Sequence, residues 1–164
     1  MLLILFGLSG AGKNFVGEIL GKEFGYYFWD ADTEISQDMR ACILNKQLIT
    51  QEMRDELTKM IALSITKLKD QYSNIVISQA LYKEKNRHQI ALLYPDANFI
   101  LIKATQENIQ NRLRQRNDWV DLAYAEKMRL DFEEPKQVDS IIINDIDAAA
   151  VISQLRDFLK QKSE

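Results

Sequence analysis

The chain alternates short, continuous apolar runs with longer stretches in which apolar residues recur every three or four positions. Leu2–Phe6 is an unbroken apolar run that ends at Gly7. A run of that length, closed by a turn residue, predicts a strand buried on both faces. Lys13–Phe24 carries Phe15, Val16, Ile19 and Leu20 on one side and predicts a helix. A short strand is predicted over 26–29 and a helical stretch over 33–45. Residues 50–68 place Met53, Leu57, Ile61 and Ile65 at a spacing of four behind Thr50, a good N-cap, and predict a long helix. Further strands are predicted over 74–78, 99–103 and 140–143. Further helices are predicted over 83–93, 105–116, 122–132 and 146–160, two of them stopping near Pro95 and Pro135. Short strands, apolar on both faces and alternating with helices, predict an α/β protein with a five-stranded parallel sheet between two helical layers. Residues 1–164 read as one domain, with excursions at about 33–70 and 116–130.

Glycine changes this picture. All six glycines fall within the first 25 residues. One device that needs glycine therefore sits at the N-terminus. The sequence Gly7-Leu8-Ser9-Gly10-Ala11-Gly12-Lys13-Asn14 joins the first strand to the first helix and fits the phosphate-loop pattern G-x-x-x-x-G-K, with Asn14 where Ser or Thr is usual. Small residues let backbone N–H groups wrap a phosphate, and the helix start adds partial positive charge. Lys13 is expected to reach β- and γ-phosphate oxygens. The nucleotide-binding candidates are Gly7, Leu8, Ser9, Gly10, Ala11, Gly12, Lys13, Asn14 and Phe15, with Arg112 further on. An asparagine oxygen can ligate Mg²⁺ or hold one of its waters; the other reading is an altered metal site.

Asp30-Ala31-Asp32 follows the second strand. The carboxyl ends of parallel strands face one crevice. In extended backbone, residues i and i+2 point the same way. One carboxylate can then serve Mg²⁺ and its waters while the other takes a proton from an attacking hydroxyl. Either one can instead cap the following helix. Arg112 and Arg116 share a helix face, where an arginine can close over transferring phosphates, although a single exposed arginine is more often a solvated surface charge. Gln79, at the end of the third strand, is expected to point into the crevice. Tyr82, Lys83, Lys85 and Arg87 open the next helix, and each alone reads as surface. His88 reads as structural or exposed, and Trp119 as lid packing.

Composition excludes more than it assigns. There are 21 basic against 24 acidic residues, a net charge of −3, and no basic block. Nucleic acid and anionic membrane are therefore not expected partners. The single cysteine, Cys42, makes no internal disulfide, which fits a reducing cytoplasm. With His88 the only histidine, a multi-histidine metal site is excluded. The apolar run at residues 2–6 lacks a basic leader and is too short for a signal peptide core. A cytoplasmic protein is the expectation, as a monomer or homodimer.

These motifs resemble the small-molecule P-loop kinases of the nucleoside-monophosphate-kinase-like fold. Phe28-Trp29-Asp30-Ala31-Asp32-Thr33-Glu34-Ile35 resembles the region after strand two in shikimate kinases. Ser78-Gln79-Ala80-Leu81-Tyr82-Lys83, and Arg112-Leu113-Arg114-Gln115-Arg116 followed by Glu133-Glu134-Pro135, resemble gluconate kinases. The resemblance implies a three-layer αβα P-loop kinase that uses ATP and Mg²⁺ to phosphorylate a hydroxyl group, a sugar acid such as gluconate first among the acceptors. It implies Lys13, Asp32 and Arg116 as catalytic residues and Asn14 and Asp30 on the metal side. It implies Asp32, Arg54 and Gln79 on the acceptor side. The departures are as definite. No glycine follows strand three, Ile35-Ser36-Gln37 stands where gluconate kinases have histidine-proline, and Asn117-Asp118-Trp119 replaces their lid glycine-histidine. Two alternatives follow from them: a nucleotide-binding regulatory module or degenerate kinase without transfer, and a nucleoside or nucleotide kinase with Tyr26, Phe28 and Trp29 around the base.

Overall fold

Leu2–Phe6 forms β1, the centre of the molecule. The computed structural model describes residues 1–115 and 120–163. Around β1 lie β2 (Tyr27–Asp30), β3 (Ile75–Ser78), β4 (Ala97–Lys103) and β5 (Ser140–Ile143). All pairings are parallel and the order is β2-β3-β1-β4-β5. The helices among the described residues are α1 (Lys13–Phe24), α2 (Gln37–Leu44), α3 (Gln51–Lys69), α4 (Glu84–Leu93), α5 (Gln106–Gln115), α6 (Leu122–Arg129) and α7 (Ala148–Gln161).

The residues of β1 are at most 1% exposed, so the strand must be covered on both faces. The period of two decides which side chain goes where. Leu3 and Leu5 pack with Val16, Leu20, Val151 and Leu155 of α1 and α7. Leu2, Ile4 and Phe6 pack with Ile61, Ile65 and Ile90 of α3 and α4. That is the three-layer sandwich. Each fully buried aliphatic side chain contributes roughly 1.5–3 kcal/mol.

The expected strands are all present, and so are the expected helices except that over 33–45, with shifted ends where capping competes with periodicity. The second strand runs one residue further, to Asp30. The stretch 33–45 is not one helix. Asp30 caps a 3-10 turn at Ala31–Glu34, and α2 starts only after Ser36, whose hydroxyl accepts from the Met39 N–H. Thr50 caps α3 as its residue type suggested, accepting from the Met53 N–H. The last predicted turn at 130–132 lies beyond the end of α6.

Helix α6 lies over the connection between α2 and α3. The Tyr124 hydroxyl donates to the Gln47 carbonyl at 3.0 Å, and Lys127 Nζ to the Lys46 carbonyl at 2.9 Å. Lys46 pairs with Asp121 at 2.7 Å. The two excursions read from the sequence thus meet and roof a cavity at the carboxyl ends of the strands.

Candidate active site

The phosphate loop is made by backbone constraint. Gly7 has φ +141°, and a Cβ there would lie 2.5 Å from the Ile102 carbonyl oxygen on β4. Gly12, at φ +92°, caps α1, and a Cβ there would collide with the Asn144 side-chain amide. An L side chain is excluded twice over at both positions, by space and by dihedral. Asn144 is buried and donates to the Ala11 carbonyl at 3.0 Å. Arg112 donates to the Gly10 and Ala11 carbonyls at 3.3 and 3.2 Å, and to the Asn144 carbonyl at 2.6 Å. Arg112 thus braces the loop. Lys13 folds over it, its Nζ 3.1 Å from the carbonyl oxygens of both Gly7 and Leu8. Phe15 is 42% exposed, on the outer face of α1.

Asn14 sits between two strands. Its Nδ2 donates to Asp30 Oδ2 at 2.6 Å, and its Oδ1 accepts from the Ser78 hydroxyl at 2.6 Å. A carboxylate only accepts, so the atom facing it has to be the amide nitrogen. The register that pairs Asp30 with Ser78 across β2 and β3 brings both partners to Asn14. Asp30 Oδ1 accepts from the Asp32 N–H at 3.0 Å. The two aspartates therefore do not project side by side from extended backbone. The strand ends at Asp30, which caps the turn, and the turn swings Asp32 toward β3. There Asp32 Oδ1 accepts from Gln79 Nε2 at 2.9 Å.

Gln79 is buried and held from behind. Its Oε1 accepts from the Leu81 N–H at 2.8 Å. Leu81 adopts φ +46°, unusual for a branched residue. Gln79 pins its N–H, and Arg87 donates to its carbonyl at 2.6 Å. Arg87 is 4% exposed, pairs with Glu84 at 2.7 Å, and lies over the Phe6 and Phe132 rings. Strained backbone of this kind persists where its surroundings over-determine it. Leu81 takes a left-handed conformation in the very segment after strand three where the sequence offers no glycine. Arg87 is thus a buried brace, and the reading of it as a surface cation is corrected.

Arg54 is 8% exposed. Its Nη2 lies 2.8 Å from Asp131 Oδ2, and its guanidinium lies over the Tyr82 ring. Tyr82 is buried, and its hydroxyl lies 3.3 Å from both the N–H and the hydroxyl of Ser9 in the phosphate loop. The reading of Tyr82 as surface is corrected too. Lys83 joins Asp131 at 3.2 Å and Glu133 at 3.4 Å, while Lys85 pairs with Asp55 at 2.6 Å. The Glu84 N–H holds the Glu133 carboxyl below the usual carboxylate range. Burial pushes the Tyr124 hydroxyl up to about 12. Asn108 and the Thr105 N–H hold Asp145 low beside the loop.

One cavity of about 100 Å³ joins these parts. Ser9, Lys13, Asp32, Arg54, Gln79 and Tyr82 all line it, and apolar side chains of α2, α3 and α6 complete it. Tyr26, Phe28 and Trp29 do not line it. Phe28 closes on Gly17 of α1, and the Tyr26 hydroxyl reaches the Met1 sulfur. Arg116 and Trp119 lie outside the described residues. The part Ser78 plays and the presence of Asp131 are what sequence reasoning missed. The register at the end of β3 was a signal for Ser78. Asp131 lies 77 positions from Arg54, and nothing local marks it.

A parallel sheet in this order, with a glycine loop between β1 and α1, is the frame of the P-loop small-molecule kinases. The chain belongs to the shikimate kinase family, whose model matches residues 9–157. A shikimate kinase of Nostoc sp. is 49% identical over 41 residues, which are 25% of this chain and only 23% of that protein. A solved sugar kinase from Janibacter sp. superposes with a TM-score of 0.83 at 21% identity, covering 97% of this chain and 94% of that one. A gluconokinase from Sinorhizobium meliloti superposes with a TM-score of 0.80 at 17% identity, covering 97% and 91%. At these identities the likeness to the solved structures is one of fold.

Proposed function

We propose that the protein transfers the γ-phosphoryl group of ATP to a hydroxyl group of a small molecule bound beside Asp32. The observation that carries this reading is that Lys13 and Ser9 of the phosphate loop share one cavity with Asp32. The acceptor oxygen attacks the γ-phosphorus, the bond to the β–γ bridging oxygen breaks, and ADP leaves. The hydroxyl proton passes to the Asp32 carboxylate, which Gln79 orients. Lys13 leaves the loop carbonyls for the phosphate oxygens and neutralises charge as it moves. Catalysis here is mostly positioning and charge stabilisation. Arg116, outside the described residues, is proposed on the family resemblance alone to close over the phosphates.

Mg²⁺, when bound with ATP, neutralises phosphate charge. The Asp30 carboxylate suits a hard cation. Asn14 suits one only after its amide turns, because Nδ2 and not Oδ1 faces Asp30. That orientation favours the second reading, a nucleotide-binding module without transfer. A nucleoside acceptor has less support, because Tyr26, Phe28 and Trp29 do not line the cavity. A sugar acid such as gluconate would address its carboxylate to Arg54, where it must compete with Asp131.

The test is ADP release from Mg-ATP across sugar acids, polyols, shikimate, nucleosides and neutral alcohols. Acceptor-stimulated release, lost in Lys13→Ala, is the expected result. ATP binding without stimulation by any acceptor would favour the binding module.

A further inference from the structure

Gln79 offers Asp32 one end of its amide, and what holds the other end decides which. Gln79 Oε1 accepts from the Leu81 N–H at 2.8 Å. An N–H only donates and a carboxylate only accepts. With Oε1 taken, Nε2 is the atom that faces Asp32 Oδ1, at 2.9 Å. A reversed amide would set oxygen against carboxylate and nitrogen against N–H. The direction of the Leu81 N–H is therefore a condition for the bond between Gln79 and Asp32.

That direction is fixed from two sides. The Ala80 carbonyl, in the same peptide as the Leu81 N–H, accepts from the Gly7 N–H of the phosphate loop at 3.3 Å. The next carbonyl, that of Leu81, accepts from Arg87 Nη1 at 2.6 Å. Between these two held peptides Leu81 keeps φ +46°, a left-handed conformation that is costly for an L side chain. Arg87 is itself held. Its Nε and Nη2 donate to Glu84 at 3.0 and 2.7 Å, and Nη2 donates to the Glu133 carbonyl at 2.6 Å. The planar guanidinium fork spans these three partners, which the point charge of a lysine does not. Arg87 does not line the cavity. We infer that Arg87 is a positioning residue for Asp32, acting through the Leu81 peptide and the Gln79 amide. This rests on the reading of Asp32 as the group that takes the acceptor proton, and it adds to that reading a residue outside the cavity.

The test uses the full chain with Arg87→Lys, which keeps a cation beside Glu84. In ¹⁵N-labelled protein the Gln79 side-chain amide signal is expected to move toward that of an exposed glutamine, with its protons exchanging at least tenfold faster. Glu84→Gln, a change at a half-exposed partner, should move the signal the same way by less. Adding Leu81→Gly to Arg87→Lys should bring the signal back, because glycine takes a positive φ without the clamp. The same double variant should have a lower denaturation midpoint, because a buried side chain is lost. A merely stabilising Arg87 would instead let the signal follow the midpoint down. Transfer is read as ADP release from Mg-ATP with gluconate and shikimate as probes. Arg87→Lys should lower kcat about tenfold with KM less affected, and shift the pH–rate profile as Gln79→Ala does. In the Gln79→Ala background it should add no more than about twofold. An unmoved Gln79 amide in Arg87→Lys and Glu84→Gln, no recovery with Leu81→Gly, or effects of Arg87→Lys and Gln79→Ala that multiply would overturn the inference and leave the kinase reading standing. A Gln79 amide that responds as expected in a protein that releases no ADP with either probe would uphold the positioning and count against phosphoryl transfer.

Discussion

The phosphate loop and the proposed acceptor cavity meet at Ser9 and Lys13, yet they are built by different means. The loop is a backbone structure. Its shape follows from where a Cβ cannot go, at Gly7 against the Ile102 carbonyl and at Gly12 against Asn144, and from Arg112 bracing its carbonyls. The cavity is a side-chain structure. It is walled by residues from α2, α3 and α6, and α6 is tied to the connection before α3 by single contacts such as Tyr124 to Gln47. A backbone site recognises the one feature its ligands share, a phosphate chain, and tolerates little change. A side-chain site can be re-lined residue by residue without touching the loop. On the proposed function, such a division would let one fold keep its nucleotide and change its acceptor.

That contrast can be broken on either side. Lys13→Ala should cost the most, lowering kcat/KM by roughly a thousandfold, the upper range for removing one charge-stabilising donor. Circular dichroism should show the fold intact. Asp32→Asn should lower kcat by about a hundredfold or more, as expected for loss of a general base. Gln79→Ala should cost roughly tenfold in kcat with KM less affected, because it releases the carboxylate without removing it. A shifted pH–rate profile would mark it as a positioning residue. Asn14→Ser supplies a hydroxyl ligand and should strengthen the dependence of ATP affinity on Mg²⁺ by about tenfold, read by calorimetry with and without chelator.

The smallest effect concerns the roof. Tyr124→Phe removes one hydrogen bond and should cost about 1 kcal/mol near neutral pH. Burial raises the folded Tyr124 to about 12, against about 10 for an unfolded tyrosine. The neutral phenol's share of stability is therefore complete below about pH 10 and is lost as pH rises through 12. Denaturation midpoints across that window should fall in the wild type and fall less in the phenylalanine variant.

The loop was legible in the sequence because backbone demands leave a compositional trace. Six glycines in 25 residues, a strand before and a lysine after are enough to place it. The sheet was legible because strands buried on both faces read as continuous apolar runs, as Leu2–Phe6 does. The cavity was less so. Asp30 and Asp32 were found, but their relation was not, since the cap that Asp30 forms decides where Asp32 goes. Leu81 hid a left-handed turn that glycine would have advertised. Arg54 was found and its neutralising partner was not, because Asp131 lies 77 positions away, just past the end of α6, and only the folded chain brings the two together. Tyr82 and Arg87 looked like surface because aromatic and cationic residues at a helix start usually are.

The proposed function divides the labour, with the loop binding nucleotide and Asp32 serving the acceptor. The most direct test is calorimetric titration of ATP into the wild type, Lys13→Ala and Asp32→Asn. Lys13→Ala should weaken ATP at least tenfold, while Asp32→Asn should bind it as the wild type does. ATP affinity unchanged in Lys13→Ala would contradict it.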